Sequence, residues 1–188
     1  MNVRRIPSVR LSPTGRKAVS FALVGATAAT VLTAMASPAS ALSWKCNTSS
    51  RSIDDRSYSG PAPDNIDIKV KNCVARSGSY VYAKATMSFD FPPTYAGGDI
   101  GNTMTGATMP LYVKRSDAGA DTLLGTKTYN VRDDFQRMNG SGNGTFTTST
   151  TKKKVGSGRF YTDSAIKINW VNDGKGYFHY GFEASGTR

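Results

Sequence analysis

The chain predicts an all-β protein, an antiparallel β-sandwich of about six or seven short strands, with a small β-barrel as the competing architecture. Three observations predict it. Apolar and polar residues alternate with period two in several separate runs, no run beyond residue 41 carries a 3.6-residue stripe, and turn-forming residues divide the runs.

Residues 1–41 read as a secretion signal. Arg4, Arg5, Arg10, Arg16 and Lys17 precede any acidic residue, Ala18 to Met35 is apolar and small, and Ala39-Ser40-Ala41 follows. A positive region, a hydrophobic region and an A-x-A site in that order are what export and its peptidase require. Cleavage is expected after Ala41, leaving Leu42 at the amino terminus of an extracellular protein. A membrane anchor fits less well, because a span needs about twenty predominantly apolar residues, and Ser20, Gly25, Thr27, Thr30 and Thr33 dilute this stretch. A lipid anchor on Cys46 is disfavoured by Trp44 and Lys45, and Ile6-Pro7 departs from a twin-arginine signal.

Residues 42–188 have the usual length of one domain, expected to be a monomer. The full chain has a net charge of +11. Without the five basic residues of the signal, 19 Lys and Arg face 13 acidic residues, so the remainder stays basic at +6. That charge favours encounters with anionic partners without specifying one. Cys46 and Cys73 are the only cysteines and are expected to pair in an oxidising compartment. Their separation of 27 positions is unlike the C-x-x-C spacing of a redox centre.

The lead-in, residues 42–65, is polar and broken by Gly60, Pro61 and Pro63, and is expected to be irregular. Ile66, Ile68 and Val70 then alternate with Asp67, Lys69 and Lys71 as a strand buried on one face. From Tyr80 to Phe91 the alternation is at its clearest, with Val81, Ala83, Ala85, Met87 and Phe89 on the apolar side and Tyr80, Tyr82 and Lys84 on the other. Arg76-Ser77-Gly78-Ser79 suits the hairpin loop between these two strands. Pro92-Pro93 ends the second, and residues up to Gly106 read as a long loop. Met109 to Lys114 and Leu123 to Val131 form the next hairpin. Asp133 to Gly144 is polar and glycine-rich, while Thr145 to Thr151 can add a strand that Lys152-Lys153-Lys154 interrupts. Ala165 to Val171 and Tyr177 to Ala184 form the last hairpin around Asn172-Asp173-Gly174-Lys175.

Few residues suggest catalysis. His179 is the only histidine, no H-E-x-x-H or G-x-S-x-G motif occurs, and Glu183 is the only glutamate. Asp54-Asp55 and Asp133-Asp134 are adjacent pairs of the kind that solvated turns supply, and Asp117 with Asp121 lacks the EF-hand spacing. The glycines from Gly140 to Gly144 lack the G-K-[ST] that would complete a phosphate cradle. Asn47, Asn139 and Asn143 begin N-x-[ST] matches. No metal or cofactor is expected. Lys152-Lys153-Lys154 is the densest positive cluster, with Phe146, Phe160 and Tyr161 near it in sequence, but export argues against nucleic acid as a physiological partner.

No motif identifies a reaction. The favoured function is a non-enzymatic extracellular binding module with affinity for an anionic envelope polymer through Tyr80, Tyr82 and Lys84. Planar rings with polar tips and salt-sensitive ammonium groups suit such a surface. An aspartate-dependent secreted hydrolase, or an inhibitor or effector that presents a loop to another extracellular protein, are the alternatives.

Overall fold

A computed structural model describes residues 42–56, 58–61, 63–95 and 102–188. The expected signal, residues 1–41, lies outside the described residues, as do positions 96–101 of the expected long loop. All the described residues belong to one compact unit.

Among the described residues, nine strands form two antiparallel sheets: β1 (Trp44–Ile53), β2 (Ile66–Ser77), β3 (Tyr80–Asp90), β4 (Met104–Ser116), β5 (Thr122–Asn130), β6 (Asn143–Thr147), β7 (Thr151–Lys154), β8 (Arg159–Trp170) and β9 (Tyr177–Phe182). Sheet one runs β1-β2-β3-β6, with β7 also paired to β3. Sheet two runs β5-β4-β8-β9. The expected sandwich is the fold observed.

Alternation dictates the packing. Ile66, Ile68, Val70 and Val74 of β2 and Val81, Ala83, Ala85, Met87 and Phe89 of β3 turn inward, where they meet Ala107, Met109, Leu111 and Val113 of β4 and Phe160, Ile166, Ile168 and Trp170 of β8. Each fully buried large aliphatic or aromatic side chain contributes about 1.5–3 kcal/mol of transfer free energy, so these inner faces provide the main driving force. The β2–β3 connection is tighter than the sequence suggests. Both strands continue to a two-residue turn, with Gly78 at φ 54°, a conformation that costs glycine little.

Three expectations need correction. Residues 44–53 of the supposedly irregular lead-in are β1, an edge strand in full register with β2. Its inward residues are mostly polar and meet the region of β9, so no apolar alternation marks it: Asn47 donates to Glu183, Arg51 donates to the Gly181 carbonyl, and the Ser49 hydroxyl accepts from the Glu183 N–H. The lysine run does not interrupt a strand. It is part of β7, with Lys152 opposite Tyr82 and Lys154 opposite Tyr80. Within the polar segment after β5 sits a one-turn helix, α1 (Arg132–Gln136), held by Phe135. That ring packs edge-on against Phe89 at 4.8 Å and Phe91 at 5.3 Å between centroids.

Candidate functional site

The outward face of sheet one is built by strand register. Beginning at the β2–β3 turn, the rows read Ser77–Tyr80–Lys154, then Trp44–Ala75–Tyr82–Lys152, then Cys46–Cys73–Lys84. Next come Thr48–Lys71–Thr86–Thr147 and Ser50–Lys69–Ser88–Thr145, and finally Ser52–Asp67–Asp90–Asn143. Successive rows lie roughly 7 Å apart, because side chains two residues apart share a face.

Tyr80, Tyr82 and Lys84 therefore share one face, as the alternation requires. Tyr80 is 36% exposed, and Tyr82 and Lys84 are half-buried. Two further residues join them that the sequence reading did not associate with this patch. The Lys152 ammonium stands 4.0 Å from the Tyr80 ring centroid and 5.8 Å from that of Tyr82. The Lys84 ammonium stands 4.4 Å from the Trp44 ring. Cation–π contacts at exposed sites contribute about 0.5–1 kcal/mol each, which biases these long side chains toward the rings. Lys152 thus meets Tyr80 and Tyr82, rather than the aromatic residues near it in sequence. Trp44 was legible in principle: it lies two positions before Cys46, and a cross-strand Cys46–Cys73 pair puts both on one strand face.

The expected disulfide is present. Cys46 and Cys73 are directly opposed on β1 and β2, with Cα atoms 4.1 Å apart. It fixes β1, and with it Trp44, to the rest of the face. At the far end of the same face, an open depression of about 540 Å³ includes Ser50, Asp67, Lys69, Ser88 and Asp90 in its lining.

Elsewhere, several of the carboxylates considered for catalysis have hydrogen-bond or ion-pair partners within the fold. Tyr95 donates its hydroxyl to buried Asp55 at 2.5 Å, and burial, followed by this carboxylate, raises the Tyr95 pKa. Tyr161 donates to Asp121 at 2.5 Å, with burial again the largest cause of a raised phenol pKa and Asp121 the next. Asp117 accepts from Thr122 and Arg115, and these hydrogen bonds, in that order, lower its pKa. Asp134 pairs with Arg137 at 2.7 Å, and Lys114 with Asp163 at 2.9 Å. His179 is exposed on β9 opposite Lys167. In the glycine-rich turn, the Asn139 side chain accepts from the N–H groups of Ser141 and Asn143, donors that a phosphate cradle would need. Among the described residues, no group of three or more His, Cys, Asp or Glu side chains is placed to hold a metal ion. Nor is any helix among them long and apolar enough to cross a membrane.

No family model and no curated protein matches the chain. Among solved structures, it is similar to the crystal structure of the KRT10-binding region domain of the pneumococcal serine rich repeat protein PsrP. The identity is 15%, the match covers 76% of this chain and 100% of that chain, and the TM-score is 0.31.

Proposed function

We propose that the protein is an extracellular binding module that attaches to an anionic polymer of the cell envelope through the outward face of sheet one. One observation carries this reading: Trp44, Tyr80 and Tyr82 share a sheet face with Lys84 and Lys152, and the ammonium groups stand against the rings. Rings on a rigid sheet provide contact area with little conformational entropy to lose, and lysines provide attraction that salt screens. The net positive charge adds a favourable long-range field.

The test is retention of the protein, harvested from culture medium, on envelope fractions of the producing cell. Y80A/Y82A should weaken retention severalfold while the far-UV circular dichroism stays unchanged, and raising salt should weaken retention of the unaltered protein. Each exposed cation–π contact contributes only about 0.5–1 kcal/mol, so the double variant should remain folded at 25 °C. Retention indifferent to both the double substitution and salt would exclude this face.

A further inference from the structure

Five consecutive rows of the outward face each hold one lysine: Lys154, Lys152, Lys84, Lys71 and Lys69. They do not stack along one strand. The first two lie on β7, the third on β3 and the last two on β2, so the lysine positions form a diagonal stripe across sheet one, along which the Lys152 ammonium lies over Tyr80 and the Lys84 ammonium reaches across β2 to Trp44. No acidic residue occurs in any of the five rows, whereas the sixth holds both Asp67 and Asp90. With rows about 7 Å apart, the stripe extends roughly 27 Å.

We infer that this stripe is the track of a linear acidic polysaccharide lying diagonally across sheet one, its anionic groups following the lysines and its end turned away by Asp67 and Asp90. The inference rests on the envelope-binding reading and specifies the ligand and its path. Lys154, Lys71 and Lys69 are exposed and make no hydrogen bond or ion pair with the described residues, so their charges are available to a ligand. Like charges held at such intervals repel one another, and a polyanion relieves that repulsion.

Three features favour a glycan over a bare polyphosphate chain. Tyr80, Tyr82 and Trp44 flank the stripe at one end with ring surface that suits sugar C–H groups. Around Lys71 and Lys69 stand the hydroxyls of Thr48, Thr86, Ser50 and Ser88, which can donate to and accept from sugar hydroxyls. No arginine occupies an outward position in these rows, so the bidentate fork that suits phosphate recognition is absent from them.

The test uses the exported protein and oligogalacturonates of defined length, linear chains with one carboxylate per sugar, measured by calorimetry at two salt concentrations. Affinity should rise with length until the oligomer spans roughly 27 Å and then level off. K69Q/K71Q/K154Q removes three charges with no internal partner and should lower affinity about tenfold or more, with a reduced salt dependence. K153Q/K167Q/K175Q removes the same charge elsewhere and should change affinity less than about threefold. Equal losses in the two triple variants would assign the attraction to overall charge and overturn the stripe. A length dependence that levels off at the disaccharide would also overturn it. Tighter binding of synthetic poly(glycerol phosphate) than of oligogalacturonate would overturn the choice of a glycan. If envelope retention needs Tyr80 and Tyr82 but survives K69Q/K71Q/K154Q, the binding-module reading stands and the stripe does not. Retention indifferent to all of these substitutions and to salt ends both.

Discussion

At Gly144 on β6 a hydrogen atom occupies the place where any other residue would put a carbon, because an added Cβ would overlap the Phe89 ring. That ring cannot easily withdraw. It is buried in edge-on contact with Phe91 and Phe135, at 5.8 and 4.8 Å between centroids. Gly144→Ala should therefore destabilise the protein by about 1–3 kcal/mol, the usual cost of overpacking a close-packed core. Gly125→Ala on β5 is the control, since a Cβ there meets no atom within 4 Å, and it should shift stability by no more than about 0.5 kcal/mol. Urea denaturation of both variants checks the pair, and equal effects would contradict the packing argument. Such a constraint could not be read from the sequence, where Gly144 is one of several glycines in a polar stretch. The placement of Tyr80 and Tyr82 could be, because period two alone assigns them to the face opposite Val81 and Ala83.

Among the elements, those that bury an apolar face announced themselves, and those that bury little did not. β2, β3, β8 and β9 each alternate strongly, and the turns of their hairpins were legible to within a few residues, although β8 begins at Arg159, ahead of the expected Ala165. β1 was hidden because its inward positions hydrogen-bond to the region of β9 rather than fill a core, and α1 because five residues are too short to display a helical stripe. The β4–β5 hairpin was legible as strands, while the chemistry of its turn was not. There Asp117 accepts from the Thr122 hydroxyl and from Arg115 at 2.8 Å, and the Asp121 carboxylate accepts from the Asp117 N–H at 3.3 Å. The Thr122 and Arg115 hydrogen bonds hold the Asp117 pKa below its ordinary value. A carboxylate lowered on folding stabilises the native turn above its unfolded pKa, and that contribution disappears as pH falls through the folded pKa. Carboxyl carbon NMR should show Asp117 titrating at lower pH than an unstructured aspartate, and Thr122→Val should move its midpoint upward. An unmoved midpoint would mean that Arg115 alone sustains the shift.

Over the whole molecule, polar contacts bridge both open sides of the sandwich. On one side Lys127 and Tyr129 of β5 reach Ser149, between β6 and β7, at 2.9 and 3.0 Å. On the other, β1 meets the region of β9, and Arg188 donates to Ser43 at 2.9 Å. Ile53 is the only residue of β1 in the buried core. A strand with so little buried apolar surface belongs to the part of a protein that opens most readily. The Cys46–Cys73 link compensates by constraining the unfolded chain across a separation of 27 residues, for which the loop-entropy model gives about 3–4 kcal/mol. C46S/C73S should lower unfolding stability by up to that amount. Because β1 has few other anchors, its amides should lose hydrogen-exchange protection before those of β4 and β8. Trp44 rides on β1 beside Lys84, so the same variant should also weaken envelope retention under conditions in which most molecules remain folded. Unchanged protection along β1, together with a stability loss below about 1 kcal/mol, would show that the hydrogen-bond ladder to β2 holds the strand without the sulfur bridge.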